Sequence, residues 1–461
     1  MIRIITLLLC LPALLMAGTK PNVIVIVADD QGAADAGCYG SKDLVTPHLD
    51  ALARRGVRFT QFYSAAPVCS PSRAGLMTGR YPLRAGLITN ASSEPNGPVA
   101  LPGAQITMAE MCKAGGYATA HIGKWHLGYT KDTSPNAQGF DYSFGHMGGC
   151  IDNYSHFFYW GGPNRHDLHR NGQEVYYPGR FFGDLMVEEA VKFMTQKRDT
   201  PFFIYFALNM PHYPYQGDPK WIEHYKNLPP PRNLYAAFVS TLDERVGALV
   251  KSVDDLGLRD NTLIVYQSDN GHSTEERAFG GGGSAGPYRG AKFSLFEGGI
   301  RLPGLISWPG HLPEDVVRGQ MVHSCDWMPT IAELAGIKLL NPDIDGKSIV
   351  PVIRSATAPS PHTVLHWHIS DGPKKPPQWA VRQGEWKLIG HVQDTSGGKL
   401  EAADKELFLS NPALDPSEKT NLATQHPDIA QALLKLHNDW FAAQKPAPAA
   451  GRFQDGKGNE R

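Results

Sequence analysis

The chain has 461 residues with 44 Lys and Arg against 45 Asp and Glu, a formal net charge of -1, so it carries no general attraction for nucleic acid or an anionic membrane. Its length exceeds one typical hydrophobic core and predicts about two to three structural units. The 6 cysteines are too sparse for a disulfide scaffold, and no pair has the close spacing of a zinc site.

Residues 1–18 combine a basic Arg3, an apolar run from Ile4 to Met16 and the small pair Ala17-Gly18. This is the pattern of a secretory signal peptide, and the mature protein is expected to be exported, periplasmic or secreted. The run is too short to span a bilayer stably, and no later segment approaches that length, so no stable membrane insertion is expected. Cys10 lacks the small preceding residues of a lipid-modified cysteine. Cys38, Cys112, Cys150 and Cys325 could form two bridges or none.

Four segments then repeat one arrangement, an apolar run followed by a polar motif. Asn22–Val27 leads to Asp29-Asp30, Tyr117–Ile122 to Lys124-Trp125-His126, Phe202–Ala207 to Asn209-Met210-Pro211-His212, and Leu263–Tyr266 to Asp269-Asn270. Continuous apolar runs read as strands buried on both faces, and helix-like stretches such as Thr46–Gly56 separate them. That alternation predicts a mostly parallel α/β sheet with its ligands bound at the carboxyl ends of the strands, where every polar motif falls. Asp29, Asp30, Asp269 and Asn270 would there offer oxygen ligands whose mutual repulsion a hard divalent cation relieves, calcium first and magnesium second.

Between the first two motifs lies Cys69-Ser70-Pro71-Ser72-Arg73, followed by Ala-Gly-Leu-Met-Thr78-Gly79-Arg80. Pro71 suits the first turn of a helix, which would set Cys69 and Arg73 four apart on one face at the positive helix end. The site is built for an anion. The full pattern closely resembles the signature of type I sulfatases, in which this Cys is oxidised to Cα-formylglycine. The resemblance extends over Gly123–Gly128, Pro211-His212, Ser268–Gly271 and Arg289–Arg301, which includes Lys292 and Glu297. It implies the alkaline-phosphatase-like fold: a large, mostly parallel sheet flanked by helices over residues 20–345, and a smaller antiparallel-sheet domain with a closing helix at Asp428–Ala443 over residues 346–445. A disordered tail is expected at 446–461. The family pattern also implies that Asp29, Asp30, Asp269 and Asn270 hold calcium together with residue 69, and that Arg73, Lys124, His126, His212 and Lys292 surround the sulfate. Some relatives place a serine near Gly149-Cys150-Ile151, and its counterpart is not assigned by the sequence.

A sulfate monoester repels nucleophiles and leaves as a poor alkoxide, which explains these residue types. A hydrated aldehyde at position 69 has two hydroxyls: one attacks sulfur, and His126 deprotonates the other so that sulfate departs. On this resemblance Lys124, Lys292 and Arg73 would balance the sulfuryl charge, and His212 with Lys292 nearby would protonate the leaving oxygen. The expected partners are a formylglycine-generating maturation enzyme and a sulfated carbohydrate, from glycosaminoglycans or algal polysaccharides. Trp160, Arg165 and His166 in the aromatic stretch 142–180 could grip the sugar, with His366 and His368 closing the other side; the same aromatics could equally pack on one another. The Gly280–Gly283 run reads as a loop beside the pocket. A phosphatase or phosphonate monoester hydrolase of the same superfamily, and a non-catalytic sulfated-glycan binder, are the alternatives.

Overall fold

Asn22–Ala28 lies inside an 11-stranded sheet, and all seven of its residues are buried. Val23, Val25 and Val27 enter the core on one face, while Ile24, Ile26 and Ala28 enter the core on the other. Phe203, Tyr205 and Ala207 alternate with Phe202, Ile204 and Phe206 in the same way. A strand with two covered faces has no use for polar alternation, hence the uninterrupted apolar runs. The computed structural model describes residues 20–160, 164–370, 372 and 375–444, so the signal peptide expected at 1–18 and the tail expected at 446–461 fall outside the described residues.

The centre of the sheet is parallel, in the order Thr262–Ser268, Asn22–Ala28, Phe202–Ala207, Ala118–Lys124, Tyr142–His146. Arg301–Ser307 and then Val57–Tyr63 join antiparallel on one side, with Val316–Arg318 and Val322–His323 parallel to Val57–Tyr63 beyond, and His169–Arg170 and Gln173–Glu174 join antiparallel on the other. The helices Pro47–Arg54, Phe182–Gln196 and Arg232–Asp255 cover one face. Cys69–Thr78, Met108–Ala114 and Trp327–Ala335 cover the other. The register pairs Ala28 with Ser268, and Val27 and Gly123 each with Ala207, so the four polar motifs leave the sheet at one edge.

A second, antiparallel sheet follows, in the order Val364–Ile369, Gln378–Gln383, Trp386–Gly390, Leu407–Ser410. Leu365, Trp367, Ala380, Ile389 and Phe408 pack toward Tyr63, Leu295, Phe296 and Ile300 of the larger unit. Val381, Leu388 and Leu409 pack instead on Ala430 and Leu433 of the closing helix Pro427–Ala443. Buried charges join the two units. Glu297 sits 2.8 Å from Lys387 and 3.4 Å from both Arg301 and Arg382, and accepts a hydrogen bond from Tyr63 OH at 2.7 Å. Lys387 also pairs with Glu418 at 2.8 Å, and Glu418 accepts from the Glu297 backbone N–H at 2.7 Å.

No described helix is long and apolar enough to cross a membrane. Cys38, Cys69, Cys112, Cys150 and Cys325 are unbridged.

Candidate active site

Asp29 and Asp30 leave the end of Asn22–Ala28, and Asp269 and Asn270 leave the adjacent Thr262–Ser268. Asp30 adopts a left-handed backbone with φ 65°, a conformation Asp tolerates better than most residues. It turns the Asp30 N–H onto Asp269 Oδ1 at 3.1 Å and sets Asp30 Oδ1 2.6 Å from Asn270 Nδ2. The next residue is glycine for a steric reason: a Cβ on Gly271 would meet Gly298 O at 2.2 Å. The segment that carries Glu297 is thereby pressed against the turn that follows Asp269 and Asn270, where the Gly271 N–H donates to Gly299 O at 3.1 Å.

Cys69 opens its helix after an extended Val68, and left-handed Gly79 closes it. Ser70 fixes the helix start, its Oγ donating to His126 O at 2.6 Å and accepting from the Ala91 N–H at 2.9 Å. Cys69 Sγ then lies 3.6 Å from Asp29 Oδ1, and Asp29, Cys69 and Asp269 present donor atoms within 4.8 Å of one another.

Cations enclose this cluster. Lys124 Nζ donates to both oxygens of Asp29 at 2.7 and 2.9 Å. Lys292 Nζ donates to Asp30 Oδ2 at 2.8 Å, and His212 Nε2 is 3.7 Å from the same oxygen. Arg73 holds Asp269 Oδ2 through Nε at 3.0 Å and Nη2 at 2.8 Å, approaches Asp29 at 3.4 Å and donates to Tyr205 OH at 3.3 Å. Its guanidinium is fully buried and engaged by the carboxylates. His126 lies under the cluster with a left-handed φ of 51° and an Nδ1 that has no partner among the described residues.

Burial pushes the Asp29 carboxyl up, but Lys124, helped by His212, Arg73 and Lys292, more than reverses this and holds it well below the usual carboxylate range. Asp30 goes the other way, to about 7, because burial and the charges of Asp29 and Asp269 outweigh Lys292. Asp269 is raised as well, chiefly by burial. Burial drives the Cys69 thiol up despite Lys124 and Lys292, which leaves a neutral thiol and a poor nucleophile. Burial, followed by Lys124 for His126 and Lys292 for His212, depresses both imidazoles well below their usual value. His212 Nδ1 lies 2.7 Å from Tyr213 O and donates to it, leaving the lone pair on Nε2.

The donor set fits a hard divalent cation. Asn270 Oδ1 is buried without a hydrogen-bond partner among the described residues, an omission costing about 1–3 kcal/mol unless a cation meets it. Burial and the charges of Asp29 and Asp269 raise Asp30 despite Lys292, a repulsion that a cation at the same spot would relieve. All-oxygen donors suit calcium or magnesium.

The remaining anticipated residues divide. Trp160 is half exposed, its indole beneath the Arg277 guanidinium. Arg165 is engaged internally, with Glu94 at 3.0 Å, Ser93 O and the face of Phe158. His166 stacks on Tyr176 at 4.3 Å and pairs with Glu174 at 2.9 Å. His366 and His368 alternate with Leu365, Trp367 and Ile369, so their rings face the closing helix, on Trp440 at 4.4 Å and Phe441 at 4.9 Å, and not the cluster around Cys69. The structure draws four further residues to the site, three of which the sequence had not singled out: Tyr205, Glu275 and Arg277. Tyr205 receives Arg73. Cys150 comes from the unassigned loop, a buried thiol pushed up to about 11 by burial and within the fields of Lys124, Asp29, Arg277 and Lys292. Glu275 lies 3.5 Å from Lys292, and Arg277 pairs with Glu275.

Residues 21–337 match the family model described as Sulfatase, and residues 290–444 match that of the N-sulphoglucosamine sulphohydrolase C-terminal region. The chain is 34% identical to arylsulfatase A of Homo sapiens, over 94% of this chain and 90% of that one. It is 29% identical to the ulvan-active sulfatase of Formosa agariphila, over 95% and 89%. Among solved structures, that of Ps i-CgsB in complex with k-i-k-neocarrahexaose superposes with a TM-score of 0.82 at 32% identity, covering 93% of this chain and 94% of that one. With the strand-edge carboxylates, the Cys69 helix and the enclosing cations in family order along the chain, the protein belongs to the sulfatase family, within the alkaline-phosphatase-like superfamily.

Proposed function

We propose that this sulfuric ester hydrolase removes sulfate from carbohydrates, with Cys69 matured to formylglycine and a calcium ion held by Asp29, Asp30, Asp269 and Asn270. The observation that carries the reading is the meeting of Asp29, Cys69 and Asp269 donor atoms at a helix N-terminus ringed by Lys124, Lys292 and His212. When present, the hydrated aldehyde supplies two hydroxyls on one carbon and the divalent ion supplies charge neutralisation beside them.

The chain's own residues do the rest. Arg73 fixes the spacing of Asp29 and Asp269 from behind and so acts as a positioning residue. Lys124 offers its ammonium between Asp29 and residue 69, where charge grows on the sulfuryl oxygens. His126, neutral and with Nδ1 unpaired, can take a proton from the residue 69 side and so allow sulfate to leave. At the Asp30 side, the Nε2 lone pair of His212 takes up a proton as the substrate binds and gives it to the leaving oxygen, which departs as the alcohol, while the Lys292 ammonium beside it balances the charge. An arriving sulfate ester adds negative charge that favours protonated His212.

Carbohydrate is the favoured substrate class because the Trp160 indole is half exposed and because Ps i-CgsB was solved with k-i-k-neocarrahexaose and the Formosa agariphila relative is ulvan-active. The leader at residues 1–18 supports export to the periplasm or beyond, and maturation of Cys69 requires a formylglycine-generating enzyme in the same cell. Comparing kcat/KM for an aryl sulfate, an aryl phosphate and sulfated saccharides tests the reading. Preference for sulfate with turnover of a saccharide is expected; preference for the phosphate would replace it with phosphatase chemistry.

A further inference from the structure

Arg277 stands one carboxylate away from Lys292, and none of the steps above uses it. It lies in the single turn Glu276–Ala278, on the loop that follows Asp269 and Asn270. Glu275 fixes the guanidinium edge, one carboxylate oxygen accepting from Nε at 3.0 Å and Nη2 at 2.6 Å. The other oxygen accepts from Tyr213 OH at 3.2 Å and lies 3.5 Å from Lys292 Nζ. A single carboxylate therefore separates Arg277 from a lysine beside the reacting group.

The guanidinium is held by face as well as by edge. It lies over the Trp160 indole, with Tyr213 5.3 Å away. Glu275 engages Nε and Nη2 only, and Nη1 has no acceptor among the described residues. The Arg277 side chain is 27% exposed and Trp160 is 48% exposed, so both remain open to a ligand. Burial works against the Glu275 carboxyl, yet Lys292 and Arg277 bring it down to about 2, and it stays an anion between the two cations. A planar donor fork held in this way loses little freedom on receiving a carboxylate or sulfate, and an indole offers an apolar face to a sugar ring.

We propose that Arg277 and Trp160 form a recognition subsite for a second anionic group, carried on the sugar that bears the scissile sulfate or on the ring next to it. The proposal rests on the carbohydrate-sulfatase reading above. Its shared chemistry is a fixed oxyanion, and the two sources are a second sulfate and a uronic carboxylate.

The test is substrate selectivity. For the matured wild type and for R277A, R277Q, R277K and W160A, kcat/KM is measured on a monosulfated disaccharide, its disulfated counterpart, a uronate-containing disaccharide and its carboxyl-reduced counterpart, with circular dichroism as the fold control. The wild type should prefer one dianionic member of a pair, and which pair identifies sulfate or carboxylate. R277A and R277Q should lower that preference by about 10–100-fold, the range of one charge-assisted hydrogen bond. R277K should restore part of it, since a point charge replaces the fork. W160A should depress both members of the pair. Equal losses on both members in folded R277A would overturn the subsite and leave Arg277 as a counter-charge for Glu275. A wild type that hydrolyses an aryl sulfate but shows no preference within either pair would overturn the subsite while the sulfatase reading stands. Matured enzyme that hydrolyses no sulfate ester would overturn both.

Discussion

Lys124 and Cys69 share one carboxylate oxygen: Asp29 Oδ1 lies 2.9 Å from the ammonium and 3.6 Å from the thiol. The ammonium keeps Asp29 ionised against burial and stands beside the residue proposed to attack sulfur. K124A should lower kcat on aryl and saccharide sulfates alike by about 100–1,000-fold, the loss typical of one preorganised cationic or hydrogen-bonding partner of developing charge. Steady-state kinetics on both substrates checks this. A change in KM alone would assign Lys124 to ground-state binding.

Metal removal should act on stability and activity together. Exhaustive chelation should abolish turnover and lower the melting temperature by several degrees, because an ion at about 100 times its dissociation constant adds about 2.7 kcal/mol to the folded state. Calcium should restore both. N270A should weaken this calcium-dependent thermal shift, measured by calorimetry without substrate. Full activity and an unchanged melting temperature after chelation would remove the ion from the account.

The buried charges between the two sheets should govern stability. E297Q leaves Lys387, Arg382 and Arg301 facing a neutral group and should cost about 3–5 kcal/mol in urea unfolding. Burial alone would raise the Glu297 carboxyl, but Lys387, Arg382 and Arg301 hold it near about 2, below its unfolded value. Its contribution is therefore fully present above pH about 4.5 and is lost as the pH falls toward 2. Glu418, raised by burial and by Glu297, takes up its proton first. E297Q should accordingly be less sensitive to acid than the wild type, and equal acid midpoints would contradict the network.

Strands with two covered faces announced themselves as unbroken apolar runs, and the parallel register then placed Asp29, Lys124, His212 and Asp269 at one edge, where the sequence had put them. The helix start at Cys69 followed from Pro71 in its first turn. The engagement of Arg73 was not legible, because spacing along a helix reports a shared face but not the tyrosine and carboxylates beneath it. His366 and His368 depend on strand parity, and parity yields a direction only once the closing helix is known to cover the other face. Glu275, Arg277 and Cys150 sit in irregular loops, which have no periodicity to reveal where a side chain ends up.

In fully active enzyme, mass spectrometry of the peptide spanning Val68–Arg73 should find an aldehyde in place of the thiol, and specific activity should rise in proportion to the aldehyde fraction. C69A, folded by circular dichroism, should lose turnover on the order of 10⁶-fold, as loss of a nucleophile does in hydrolases that act through one. Full activity from protein whose residue 69 is entirely unmodified cysteine would contradict the account.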